Sequence, residues 1–310
     1  MDRKAVDGRA ASVMVLLCMT WAFQQIALKA VAADIAPTLQ IAIRSGVAAV
    51  LVHLLMFARR ERLDISPGVW RPGLLVGFLF GLEFVLAGLG LQYTSASHMS
   101  VFLYTAPIFA ALGLHMLLPS ERLSRPQWLG IALAFAGVAI AFFGRDGRAD
   151  ARTSLFGDFL GVLAGLSWGL TTVAIRGSKV ATVSATTALL YQLLGAFVLL
   201  LATAVATGQT AIHWTPLVGA SLAFQSTLVS FASFLAWFWL LRRYAAAQLG
   251  VFAFMTPLFG VTFGVLLLGE PVEHSFAMGA VLVMAGIALV SGSAWLGQAL
   301  GRAAGASRRP

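Results

Sequence analysis

The stretch Trp21-Ala-Phe-Gln-Gln-Ile-Ala-Leu-Lys29 returns 147 positions later as Trp168-Gly-Leu-Thr-Thr-Val-Ala-Ile-Arg176. Each copy runs aromatic, two adjacent polar residues, an apolar stretch, then a cation. A second echo starts at Glu121, where Glu121, Gly130, Ala136 and Gly137 reappear as Glu270, Gly279, Ala285 and Gly286, all 149 positions on. Pro107 and Pro257 fall 150 apart. A near-constant offset through the chain is an internal duplication, and its period sets the architecture.

Composition fixes the solvent. Of the 310 residues 59% are hydrophobic and 11% charged, with a mean hydropathy of +0.88. A water-soluble domain carries about 25% charged residues, so the surface of this chain faces lipid. A membrane-crossing helix needs about 20 mostly apolar residues. Ten segments qualify: roughly 10–31, 35–57, 73–92, 96–117, 127–144, 157–176, 184–206, 216–240, 246–268 and 276–296. Cys18 is the single cysteine and sits in an apolar run, which leaves no disulfide framework.

Lysine and arginine counts orient the bundle. With the N-terminus inside, the inner segments hold sixteen such residues and the outer segments four: Lys29, Arg145, Arg148 and Arg152. This bias accounts for the net charge of +9 without a nucleic-acid partner. Both termini are expected to be cytoplasmic. Each copy holds five spans, an odd number, so the second enters the membrane from the opposite side. The predicted fold is an all-α integral membrane protein of ten transmembrane helices in two inverted five-helix repeats, residues 1–144 and 157–296, followed by a mobile cytoplasmic tail at 297–310. Inverted repeats are a recurrent build for secondary transporters, with the substrate near mid-membrane at the repeat interface. A passive pore is the alternative of a different class.

Several motifs together resemble the drug/metabolite transporter superfamily, EamA type. They are the paired Trp-x7-Lys/Arg segments, Arg44 in the second span, Leu91-Gln-Tyr-Thr-Ser-Ala96, Pro107 followed by Glu121-Arg-Leu123, and Pro257 followed by Glu270-Pro271. Within it the chain is most similar to YddG-type exporters of aromatic and other neutral amino acids. The resemblance implies amino-acid export across a bacterial cytoplasmic membrane by alternating access, with drugs, nucleosides or another metabolite as alternative cargo. The second copy departs from the first at Tyr191-Gln192 and at Tyr244-Ala-Ala-Ala247.

Candidate site residues follow from helical spacing, since positions three or four apart share a face. Trp21 lies over Gln24 and Gln25, and Trp168 over Thr171 and Thr172. An aromatic wall beside amides or hydroxyls suits an apolar side chain with a zwitterionic backbone, and the inverted relation is expected to bring the two stripes together. The plain alternative is interfacial tryptophan and polar glue between helices. Ser226, Ser230, Ser233 and Trp237 form one stripe in the eighth span, beside Gln225. Tyr104 precedes Pro107, and Phe254 and Met255 precede Pro257; both prolines are candidate bends or gates.

Arg44 and Glu83 lie at similar depth, each about nine residues from the outer end of its span. A charge there costs at least ~2.5–3.5 kcal/mol unless paired or hydrated, so the two are expected to form a buried pair or to face one water-filled cavity. Glu83 also permits proton coupling, although facilitation needs no titrating group. Glu121 and Glu270 are expected as interfacial anchors, and His98 as a hydrogen-bonded structural histidine. Gly165-Leu-Ser167-Trp-Gly169 matches the G-x-S-x-G nucleophile pattern, but its glycines already serve helix packing and no histidine is placed beside Ser167. No enzyme activity, metal or cofactor is expected; the partners are a small-molecule substrate and the lipid bilayer.

Overall fold

In the computed structural model, which describes residues 7–117, 122–143, 151–244, 249, 252–253 and 255–306, helix accounts for nearly all of the ordered backbone. Glu121, Phe254 and both chain ends lie outside the described residues. The first repeat comprises α1 (Gly8–Ala30), α2 (Pro37–Ala58), α3 (Pro67–Gly90), α4 (Ala96–Leu103), α5 (Ala106–Leu117) and α6 (Arg125–Phe143). The second comprises α7 (Ala151–Arg176), α8 (Ala185–Ala206), α9 (Pro216–Ala223), a π-helical segment (Phe224–Ser233), α10 (Phe234–Arg243), α11 (Met255–Leu268) and α12 (His274–Ala306). Among the described residues seven helices or helix pairs are long and apolar enough to span a bilayer, and three shorter apolar helices match the other expected spans.

Proline and small polar residues set the starts. Pro37 and Pro67 occupy the first turns of α2 and α3, where the missing amide is no loss. Asp7, Ser95, Ser184 and Thr215 cap α1, α4, α8 and α9 with their side chains. Three boundaries differ from expectation. α3 begins six residues early, at Pro67, because the Ser66–Pro67 start is a stronger signal than the charge at Arg71. α7 reaches back to Ala151, and α12 continues past 296 to Ala306.

The fourth span breaks at Tyr104–Thr105 into α4 and α5. Pro107 has no amide to give the preceding turn, and at the break the Phe102 carbonyl accepts from both the amide and the hydroxyl of Thr105, at 3.1 and 2.6 Å. Pro257 sits in the first turn of α11.

The packing obeys a two-fold exchange. α1 packs on α11 as α7 packs on α4 and α5; α2 packs on the π segment as α8 packs on α3; α1 meets the π segment as α7 meets α3. The equivalent pairs α2–α8, α4–α11 and α6–α12 lie against each other. Their register is antiparallel. Gly130 of α6 faces Gly286 of α12, while Gly137, further along α6, faces the earlier Gly279. Ser97 and Ser100 face Gly264 and Gly260 in the same reversed order. Equivalent helices running in opposite directions make the repeats inverted, as the odd span count requires.

A Cβ at Gly137 would lie 2.6 Å from the Gly279 carbonyl oxygen, and one at Gly130 2.6 Å from that of Gly286. Overpacking of this kind costs about 1–3 kcal/mol. Gly137→Val is therefore expected to lower the melting temperature in detergent, and an unchanged melt would contradict the close contact. The flanks carry exposed Leu54, Phe57, Leu74, Phe78, Val198, Leu266 and Val281. Such a belt is a liability in water and a fit to acyl chains. The chain is a multi-pass membrane protein.

Candidate functional site

Arg44 of α2 is 1% exposed and Glu83 of α3 is 4% exposed. Each is an electrostatic neighbour of the other, yet they do not approach within 4.0 Å as an ion pair. Both side chains are buried as expected, but they do not form the direct ion pair that was one of the two expectations. Glu83 Oε2 and Arg44 Nε have no hydrogen-bond partner. The guanidinium rests over the Phe84 ring, 4.7 Å from its centroid, and donates one long hydrogen bond of 3.4 Å to Gln225 Oε1. Unpartnered buried polar atoms are rare and costly, about 1–3 kcal/mol each and more when charged. Gln25 Oε1, Ser100 Oγ and Thr256 Oγ1 share that condition.

Aromatic groups stand beside the charges. Tyr104 meets Trp168 edge-on at 5.1 Å, and both pack with Phe80, Phe84 and Leu103. Tyr104 is near Glu83 and Thr256. Phe80 contacts Phe84 at 5.0 Å and Phe234 at 6.0 Å.

Trp21 and Trp168 fall in different hydrophobic clusters. Trp21 donates its indole N–H to Ser233 Oγ at 2.9 Å and lies edge-on to Trp237 at 5.8 Å, in a core shared with Cys18 and Leu240. Trp168 belongs to the Tyr104 cluster. The exchange seats α1 against α11 and the π segment, and α7 against α3 and α5, so the two tryptophans join different clusters. The threonines also differ from expectation. Thr171 donates to the Ser167 carbonyl at 2.9 Å and Thr172 to that of Trp168 at 3.2 Å, which spends each hydroxyl proton on its own helix. Ser167 likewise donates to the Leu79 carbonyl at 2.8 Å, as packing glue. Gln24, Gln25 and Ser230 are buried, and Ser233 donates to the Val229 carbonyl.

Three features escaped the sequence reading. The eighth span holds a π segment rather than an unbroken α-helix, and such segments recur at functional sites. Gln40, one turn before Arg44, is fully buried and bonded to Gln225 at 3.0 Å; its position on Arg44's face was an available signal. Asp158 accepts from the Thr94 hydroxyl and faces His98 Nδ1 at 3.0 Å, and His98 stacks on Phe276 at 3.7 Å.

Glu270 also does more than anchor. Its carboxylate accepts from the Ala96 and Ser97 amides at 2.7 and 2.9 Å and from the Ser97 hydroxyl at 2.6 Å. This joins the second repeat to the first turn of α4, where orphan amides and the helix dipole favour an anion. At the same end of the bundle Lys29 donates to the Leu91 and Thr94 carbonyls at 2.5 and 2.8 Å. That end is closed.

The sequence profile of the EamA-like transporter family matches residues 8–143 and 155–292, one match for each repeat. The uncharacterized transporter YoaV of Bacillus subtilis is 26% identical over 88% of this chain and 94% of its own length. The uncharacterized transporter YvbV of the same organism is 26% identical over 91% and 92%. An uncharacterized transporter of Archaeoglobus fulgidus is 27% identical over 70% and 72%. A solved crystal structure superposes with a TM-score of 0.64, covering 91% of this chain and 97% of that one at 18% identity, a likeness of fold alone.

Proposed function

This chain belongs to the EamA-like transporter family, and from that premise we propose that it is a secondary carrier exporting small zwitterionic metabolites, aromatic and other neutral amino acids first among them. One observation carries the proposal: the ionisable side chains of Arg44 and Glu83 are both buried, are not in ion-pair contact, and leave a donor and an acceptor atom unused. Ionisable groups held in a low-dielectric interior without a close partner are expensive. An α-carboxylate at Arg44 and an α-ammonium at Glu83 would relieve both at once. Phe84, Tyr104 and Trp168 offer apolar ring surface to the substrate side chain.

The exchange symmetry of the two repeats supports alternating access, the mode by which inverted-repeat carriers expose one site to each side in turn. Glu270 on the start of α4 is the closure at the face that the Lys/Arg bias assigns to the outside. The same bias puts both termini on the cytoplasmic side of a bacterial cytoplasmic membrane. Glu83 is the group that would take up a proton if export is coupled to one.

Proteoliposome uptake of labelled phenylalanine, leucine and a nucleoside, with and without a pH gradient, tests this reading. Saturable counterflow of the amino acids is expected. Linear, non-saturating flux would indicate a pore, and nucleoside flux alone would reassign the cargo. A rate unaffected by the gradient would remove proton coupling.

A further inference from the structure

The amide chain behind Arg44 has no freedom left in its direction, and we infer that Gln225, held in turn by Gln40, is the positioning residue that presents Arg44 to a substrate carboxylate. The inference rests on the proposed reading in which Arg44 meets that carboxylate, and it narrows the cargo to carboxylate-bearing molecules.

The argument is an accounting of donors and acceptors. Gln40 Nε2 donates to the Leu28 carbonyl at 3.1 Å and the Ile35 carbonyl at 2.9 Å. Both its N–H groups are spent, so its oxygen must face the other way. That oxygen accepts from Gln225 Nε2 at 3.0 Å. The same Gln225 nitrogen donates to Ser221 Oγ at 2.9 Å, and Ser221 donates to the Ala27 carbonyl at 3.3 Å. Gln225 has spent both its N–H groups as well. Only its oxygen remains, and it faces Arg44. Backbone carbonyls at the end of α1 and in the turn after it thus fix the orientation of the buried Gln225 amide through one intervening side chain, Gln40 or Ser221.

What this does to Arg44 depends on the chemistry of an amide. A carboxylate at position 225 would hold the guanidinium more tightly, but it would also neutralise the charge a substrate needs. An amide oxygen orients the group and leaves the charge intact. The bond is long, at 3.4 Å, near the limit of useful geometry, so the guanidinium keeps donors for a better acceptor. Nε is unpartnered, and Phe84 supports one face of the plane at 4.7 Å. A guanidinium held flat with donors open matches a carboxylate, which it binds bidentately.

The test compares phenylalanine with phenethylamine, which has the same ring and ammonium but no carboxylate, as competitors of labelled-phenylalanine counterflow in proteoliposomes of the full chain. The wild-type protein is expected to prefer phenylalanine by at least about tenfold. In Gln225→Leu the half-saturation concentration for phenylalanine should rise by about tenfold, while inhibition by phenethylamine is unchanged, so the preference collapses. Gln225→Glu, which keeps the size of the side chain, should lose the preference in the same way because the new carboxylate competes for Arg44; it decides the matter if the leucine variant does not fold. Gln225 variants that weaken both compounds equally, or that keep the full preference, would overturn the positioning role. A wild-type protein that does not distinguish the two compounds would overturn the carboxylate role of Arg44 itself, and the inference with it.

Discussion

Arg44→Leu and Glu83→Gln are each expected to reduce amino-acid counterflow by about 30-fold or more, the effect of removing one buried polar partner of the substrate worth roughly 2–5 kcal/mol. The charge-reversed double variant, Arg44→Glu with Glu83→Arg, should not recover it. If the two residues formed only a structural ion pair, reversal would restore the attraction and most of the activity. They do not touch, and their surroundings are not interchangeable. Position 44 has a ring under it and an amide oxygen in front, which suit a cation and repel an anion. Position 83 adjoins Tyr104 and offers no such arrangement. Recovery above about a tenth of wild-type flux would contradict a substrate-binding role for the pair. Melting curves in detergent accompany the assay, because Glu83→Gln replaces a buried carboxyl that has an unpartnered oxygen. That variant should melt no lower than wild type even as transport fails.

Glu270→Ala has the second large effect. The carboxylate makes three hydrogen bonds to the start of α4, two of them to backbone amides. Charge-assisted bonds are worth about 1.5–3 kcal/mol each. Loss of even 2 kcal/mol from one closed state shifts a two-state equilibrium roughly thirtyfold toward opening at that face. The reporter is a cysteine at Ser100, one turn inside the closure, in a Cys18→Ser background. A membrane-impermeant thiol reagent applied from outside should modify Ser100→Cys far faster when Glu270 is alanine, and export should slow because the outer face no longer closes. Equal labelling rates with and without Glu270 would show that the carboxylate only anchors α11.

Which features were readable in the sequence follows from what each one physically requires. The reversed glycine register of α6 and α12 was readable as a repeat, because only a residue without a Cβ lets carbonyl oxygens come that close. The break at Tyr104–Thr105 was readable because Pro107 removes a backbone donor from the turn before it. The depth of Arg44 and Glu83 came from counting residues along helices of known rise. Partner choice was not readable. Nothing in Trp21 says that its indole will find Ser233 in the eighth span. Thr171 and Thr172 lie mid-span as expected, but a hydroxyl can turn back onto its own helix, and both do. The π segment was hidden because Phe-Gln-Ser-Thr-Leu-Val-Ser-Phe-Ala-Ser is compatible with either ladder, and its partners in α1 and α2 belong to tertiary structure. Glu270 finds backbone amides, which every sequence possesses and none advertises.

The most direct measurement is competition for labelled-phenylalanine counterflow by three molecules that share one ring: phenylalanine, phenethylamine and 3-phenylpropionate. If Arg44 and Glu83 hold the two ends of one substrate, only the compound with both charges competes strongly, and each singly charged analogue is weaker by at least about tenfold. Equal competition by either analogue would mean that the separated charges of α2 and α3 do not form the binding site.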